Sequence, residues 1–440
     1  MMRDTIRKTV LPSGLTVLTE SVPERRTVSV GVWLRSGARD EPGERLGISH
    51  FIEHMVFKGT ERRDARAIAQ SLESLGGHLD AFTGREQVCY YARALSDHLD
   101  DVVDVLADIV CRSRLDASEV EREKSVVREE ILAYEDNPEE KVNDVLADLV
   151  WGGHDLGRPI LGTAETVDAL DAGMLHDYFG RRYRADHLVL AAAGALEHDR
   201  VLELVARHMQ PPGAPSLPLS EAPPGFRPTV QHVVRDLQQL YLSLGARGVS
   251  DRHSDRETLL VLTTLLGGGM SSRLFQSVRE QAGLAYSIYS VHDFYRDAGM
   301  LSIQMGVSPD RGREALALTR QELVQLIEHG PSVAEVAAAQ AQFRGSMLME
   351  QESVSARMVY LAHEEIYLRE ITPPEVYLER ILAVTRDQVH EAARRYLAPE
   401  RFTLAALGPR RGEPLGEADW PVAAADPEPA TLQADVTPGP

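Results

Sequence analysis

Three residues near the start of the chain have side chains suited to metal chemistry and a spacing that joins them. In "GISHFIEHMVFKGT" (47–60), His50, Glu53 and His54 stand among Ile48, Phe51, Ile52, Met55, Val56 and Phe57. Imidazoles and carboxylates are costly to bury without partners, so these three must share a partner or lie on a wetted face. On a helix, positions i, i+3 and i+4 share a face, and two histidines at i and i+4 can bind one zinc ion. Glu53 directly precedes the second histidine, so the order is H-x-x-E-H, the reverse of the better-known H-E-x-x-H.

A catalytic zinc takes a third protein ligand and keeps one position open. "SEVEREKSVVREEILAYE" (118–135) supplies candidates: Glu123, Val127, Glu130 and Tyr134 recur at helical spacing on one face, the face expected to be buried. One of Glu123 and Glu130 can ligate the metal while the other orients a ligand histidine from behind. Spacing leaves open which does which.

These residues need a scaffold, and the bulk composition bounds it. A chain of 440 residues with 43% hydrophobic and 26% charged residues is globular and long enough for two or more domains. A net charge of −20 excludes nucleic acid and anionic membrane surfaces as natural partners. Cys89 and Cys111 are the only cysteines, too few for a disulfide framework or a thiolate zinc site. The N-terminal residues contain no apolar run of signal-peptide or membrane-spanning length, so a cytoplasmic location is expected.

The chain divides near its midpoint. "QPPGAPSLPLSEAPPGFRP" (210–228) reads as a linker between a domain over 1–209 and another over 229–408, and 409–440 reads as a disordered tail. The halves repeat: "FGRRYRADHLVLAAAG" ends the first and "AARRYLAPERFTLAALG" the second, with Tyr183 and Tyr396 213 positions apart. Shifted by that period, His50, Glu53 and His54 fall on Thr263, Leu266 and Gly267. The second copy builds its fold without the ionisable groups, which points to function in the first. "TVSVGVWLRSG" and "VCYYARAL" read as strands, and "DHLDDVVDVLADIVCRS" and "KVNDVLADLVW" as helices. The expectation is an α+β fold of two homologous domains, each a mostly antiparallel sheet with helices packed on one face. "VCYYARAL" is a candidate edge strand for an added peptide.

"GISHFIEHMVFKGT", "SLESLGGHLDAFTGREQVCYYARAL", "EREKSVVREEIL" and, in the second half, "SSRLFQSVREQAGLAYSIYS" together resemble the pitrilysin family of metallopeptidases, which includes insulin-degrading enzyme and the mitochondrial processing peptidase β-subunit. The resemblance covers about residues 5–408, and the length matches the short bacterial type with two repeats. It implies one Zn2+ per chain held by His50, His54 and Glu130, Glu53 as general base, and Glu123 as the supporting acid. It further implies that Arg279 and Tyr286 contact substrate and that two domains close as a clamshell around an extended, unstructured peptide. The expected activity is that of a zinc metalloendopeptidase; the alternative is a non-catalytic core or scaffold subunit. Expected partners are peptide substrates and a second copy of the chain, or else an inactive homologous sibling. The sequence departs from the family at Asp80, where an Asn is usual, and an acceptor-only carboxylate there alters the contact with substrate backbone.

Overall fold

The computed structural model describes residues 5–211, 217–410 and 414–423. Among the described residues eleven strands form two sheets: β1 (Ile6–Val10), β2 (Thr16–Ser21), β3 (Thr27–Leu34), β4 (His78–Thr83), β5 (Val88–Leu95) and β6 (Leu188–Gly194) make the first, and β7 (Val230–Val234), β8 (Leu240–Gly248), β9 (Ala285–Phe294), β10 (Gly299–Val307) and β11 (Thr403–Gly408) the second. The first sheet runs β1-β2-β6-β3-β5-β4 and the second β7-β11-β8-β10-β9. Without β1 the two orders coincide strand for strand. Each also has one parallel pair, β2 with β6 and β7 with β11, in an otherwise antiparallel sheet. The internal repeat is thus a repeated topology.

Two compact units carry these sheets, and each draws on both halves of the sequence. The described residues of 1–133, 158–221 and 348–373 make up the first, and those of 134–157, 222–347 and 374–440 the second. Contiguous domains over 1–209 and 229–408 therefore do not describe the compact units.

The reason lies in the strands, which are apolar on both faces. In the first unit Val28, Val30, Val32 and Leu34 of β3 face one core, with helices Ile48–Val56, Leu99–Cys111 and Ala172–Arg182 packed over it. Trp33, Leu18, Cys89, Val189, Ala191 and Ala193 face the other way, where Met358, Leu361 and Ala362 of helix Val354–His363 cover them. In the second unit Leu240, Leu242 and Leu244 face the larger core, while Ala405 and Leu407 meet Val142, Leu146 and Val150 of helix Pro138–Trp151. Helices therefore lie on both faces of each sheet rather than on one. Both covering helices cross over a glycine, Gly31 and Gly245, 214 positions apart. A Cβ on Gly31 would stand 3.3 Å from Met358 Sδ and 2.4 Å from Trp33 Cζ3, and one on Gly245 would stand 2.9 Å from Leu146 Cδ2.

Three further expectations change. "VCYYARAL" is β5, an interior strand between β3 and β4; the edge strand on that side of the first sheet is β4, and β1 is the opposite edge. Of the linker, residues 212–216 lie outside the described residues. The described part before 222 is tied down, with Arg182 donating to Leu217 O and Pro218 O (2.9 and 3.0 Å) and Ser220 N–H donating to Asp40 Oδ1 (2.8 Å). Of the tail, 411–413 and 424–440 lie outside the described residues. Trp420 is fully buried in the second unit, its Nε1–H donating to Pro399 O at 3.0 Å, so that part of the tail has a fixed place.

Candidate metal centre

The helix Ile48–Val56 starts under tight control. Gly47 before it has φ +85°, and a Cβ there would stand 2.5 Å from Leu161 O, so both the backbone and the space require glycine. Helix N-termini leave unsatisfied N–H groups that favour a carboxylate. Buried Glu41 supplies it, Oε2 accepting from Gly47 N–H (2.7 Å) and Oε1 from Ser49 N–H (2.8 Å). Ile48, Phe51, Ile52 and Met55 then anchor the helix in the core. His50, Glu53 and His54 project from the remaining face, His50 buried and the other two half-buried.

The second contributor is helix Ala117–Glu135, which buries Val120, Glu123 and Val127. Glu130, one turn further, leaves that buried stripe: its side chain is 44% exposed, against the expectation that both glutamates would be buried. Its Oε2 nonetheless lies 3.5 Å from His50 Nε2 and 3.3 Å from His54 Nε2. Glu123 sits on the other side of the His54 ring, Oε1 accepting from Nδ1 at 2.9 Å, and Lys58 Nζ meets its Oε2 at 2.6 Å. Spacing could not separate the two glutamates; the fold does.

One ligand atom each from His50, His54 and Glu130 converges within 4.8 Å. Two atoms ~2.0–2.1 Å from a tetrahedral zinc lie ~3.3–3.4 Å apart, and the observed separations of 3.3 and 3.5 Å match that edge. The donor set, two imidazole nitrogens and a carboxylate oxygen, suits zinc. Glu123 behind His54 completes the usual carboxylate support of a ligating histidine. These residues fit a zinc ion.

The electrostatics of the cluster are those of a cation site. Hydrogen bonds from His50 and then His54 hold the Glu130 carboxyl far below the usual carboxylate range. Burial works against a charged His54, but hydrogen bonds to Glu123 and Glu130 outweigh it and push the imidazole up to about 9. Burial likewise opposes ionised Glu123, and His54 and Lys58 reverse that and bring it below its ordinary value. Glu53 goes the other way: burial raises it, while a hydrogen bond from Thr83 and the neighbouring imidazoles oppose the rise. The Thr83 hydroxyl, at the end of β4, donates to Glu53 Oε2.

Thr83, Glu41 and Lys58 were not singled out from the sequence. Thr83 and Glu41 lie 30 and 12 residues from Glu53 with no periodic relation to it. Lys58 follows His54 by four positions, a spacing that marks a shared helical face.

Arg279 and Tyr286 belong to the second unit. Arg279 lies in the π-helical turn Phe275–Gln281, and Tyr286 is 79% exposed on β9, an edge strand. The guanidinium stands 5.4 Å from the centroid of the Tyr286 ring and 4.4 Å from that of Phe275. The structure brings this pair together and adds Phe275 as its platform, for which the i, i+4 spacing to Arg279 was the available signal. Asp80 lies on β4 and accepts from Tyr91 OH at 3.2 Å.

A duplicated α+β fold with a His-His-Glu cluster on two helices defines a class of metallopeptidases. The chain belongs to peptidase family M16: residues 16–164 match the family model described as insulinase (peptidase family M16), and 169–343 the one described as peptidase M16 inactive domain. Among curated relatives, an uncharacterized zinc protease of Streptomyces coelicolor is 37% identical over 413 residues, covering 92% of this chain and 90% of the relative. The uncharacterized zinc protease YmxG of Bacillus subtilis is 36% identical, covering 93% of this chain and all of the relative. These are bacterial proteins of the short, two-repeat type. Two solved structures share the fold. A peptidase M16 inactive domain from Pseudomonas fluorescens has a TM-score of 0.87 at 21% identity, covering 93% of this chain and 99% of that one. A protease from Helicobacter pylori has a TM-score of 0.86 at 20% identity, with coverage of 92% and 99%. Among the described residues no helix is long and apolar enough to cross a membrane.

Proposed function

We propose that the chain is a zinc-dependent endopeptidase that cleaves extended, unstructured peptides or presequences. The observation that carries this reading is the convergence of His50 Nε2 and His54 Nε2 on Glu130 Oε2 at the spacing of zinc ligands, with Glu53 one helical turn after His50 and directly before His54 on the same helix. Zinc held there would supply a Lewis acid for the scissile carbonyl and make a water acidic enough to ionise near neutral pH. Glu53 takes the proton of the attacking water and returns it to the leaving amine, acting as base and then as acid. Its burial-raised proton affinity suits it to that exchange. The free edge of β4 offers main-chain groups to an extended peptide. Arg279 and Tyr286 hold the substrate, the Tyr286 hydroxyl being a donor for a developing oxyanion.

The same reading takes one zinc per chain, a cytoplasmic location in keeping with two free cysteines, and a second copy of the chain as partner. The test is elemental analysis with cleavage of an unstructured peptide library, with and without chelator, followed by mass spectrometry. One zinc per chain and chelator-sensitive internal cleavage are expected, and His50→Ala should lose both. Zinc content unchanged in that variant would refute the ligand assignment.

A further inference from the structure

Lys58 lies just past the end of helix Ile48–Val56, its backbone N–H donating to Met55 O at 3.0 Å. Its Nζ reaches Glu123 Oε2 at 2.6 Å, while Glu123 Oε1 takes His54 Nδ1 at 2.9 Å. Glu123 is only 4% exposed, so water cannot readily replace either partner. A carboxylate with a different partner on each oxygen cannot turn about its last bond. Remove one partner, and a buried oxygen is left unpaired, at a cost relieved only by turning the group away from the other.

We propose that Lys58 is a positioning residue for the metal centre: its ammonium clamps one oxygen of Glu123 so that the other holds the His54 ring with Nε2 aimed at the ligand point. The inference rests on the zinc reading above and adds a residue to it. It also makes a prediction of sign. By charge alone, an ammonium near a cation site weakens zinc binding, so removing it would raise affinity. The clamp requires the opposite, since a loosened His54 is a poorer ligand.

The experiment is zinc affinity of the full chain by competition with a chromophoric chelator, with the thermal stability of the metal-free protein measured alongside. Lys58→Met is expected to bind zinc ~10-fold more weakly, the low end of the effect of partners that orient metal ligands. Lys58→Arg, which keeps a charged donor for Oε2, should recover most of the loss. In a Glu123→Gln background, Lys58→Met should add little, because the route through Glu123 is already cut. If Lys58→Met does not fold, Lys58→Gln takes its place with the same expected loss, its shorter amide falling short of the carboxylate. Unchanged or higher affinity, or an equal loss in the Glu123→Gln background, overturns the inference while leaving the zinc reading intact. Zinc uptake by the wild type that survives His50→Ala overturns that reading, and the inference with it.

Discussion

Glu53 occupies a position where chemistry and folding pull in different directions. A half-buried carboxylate is raised by desolvation, and the Thr83 hydroxyl, His50 and His54 restrain the rise. Glu53→Gln keeps the shape but cannot accept a proton, so zinc content should stay at the wild-type level while turnover falls ~10²–10⁴-fold. Elemental analysis beside steady-state kinetics checks both, and activity within a few-fold of wild type would remove Glu53 from the mechanism. A second residue reports on pH. His292, a buried residue of β9, accepts from Val249 N–H at 3.2 Å, and burial first, then Arg256 and His253, pushes its pKa down to about 3. An unfolded histidine titrates near ~6.5. Between those values the unfolded chain binds the extra proton, so stability is full above the unfolded pKa and falls as pH drops towards 3. His292→Gln should lower Tm at neutral pH, yet flatten its decline between about 6.5 and 4. A thermal melt series that shows the same slope in both proteins would acquit His292.

At the scale of elements, the metal-binding helix depends on how it begins. Gly47 has a backbone conformation that side chains rarely adopt and faces Leu161 O, and Glu41 caps the first turn. Gly47→Ala should cost about 1–3 kcal/mol through strain at that φ and shift His50, three residues on. The measurable result is a lower Tm together with weaker zinc binding; a variant with wild-type Tm would show that the chain relaxes freely there. The motif itself was plain from sequence, because i and i+4 fix a shared face whatever the surroundings. Its cap was not, since Glu41 is joined to Ser49 by a fold in the chain rather than by a period. The same limit explains β5. "VCYYARAL" has the composition of a strand, but whether a strand is an edge depends on which neighbours pair with it, and β4 pairs outside it.

At the scale of the whole molecule, each compact unit is completed by a helix from the other half of the sequence. Residues 1–212 alone lack helix Val354–His363, which covers Trp33, Val189 and Ala191. They also lack Glu365, which pairs with Arg35 at 2.6 Å, and Arg357, which pairs with Glu20; the first pair is buried and the second part-buried. An apolar face without its cover and charges that lose an ion pair destabilise together. That fragment should therefore bind a hydrophobic dye and melt without a cooperative transition, and a fragment fused to residues 348–373 should do so less. A cooperative melt of 1–212 alone, without dye binding, would show that the second face needs no cover.

What is local or repeated could be read from the amino-acid order: the pairing of His50 with His54, the candidacy of Glu123 and Glu130, and the duplication signalled by Tyr183 and Tyr396. Helical and strand periods are properties of the chain alone, and a duplicated domain repeats them at a fixed offset. What depends on approach in space came only with the folded chain. It set Glu130 against both Nε2 atoms and Glu123 against Nδ1, placed Lys58 behind Glu123, and folded Trp420 into a core. It also exchanged helices between the halves, because strands apolar on both faces require cover on both, and the chain found it beyond its own half.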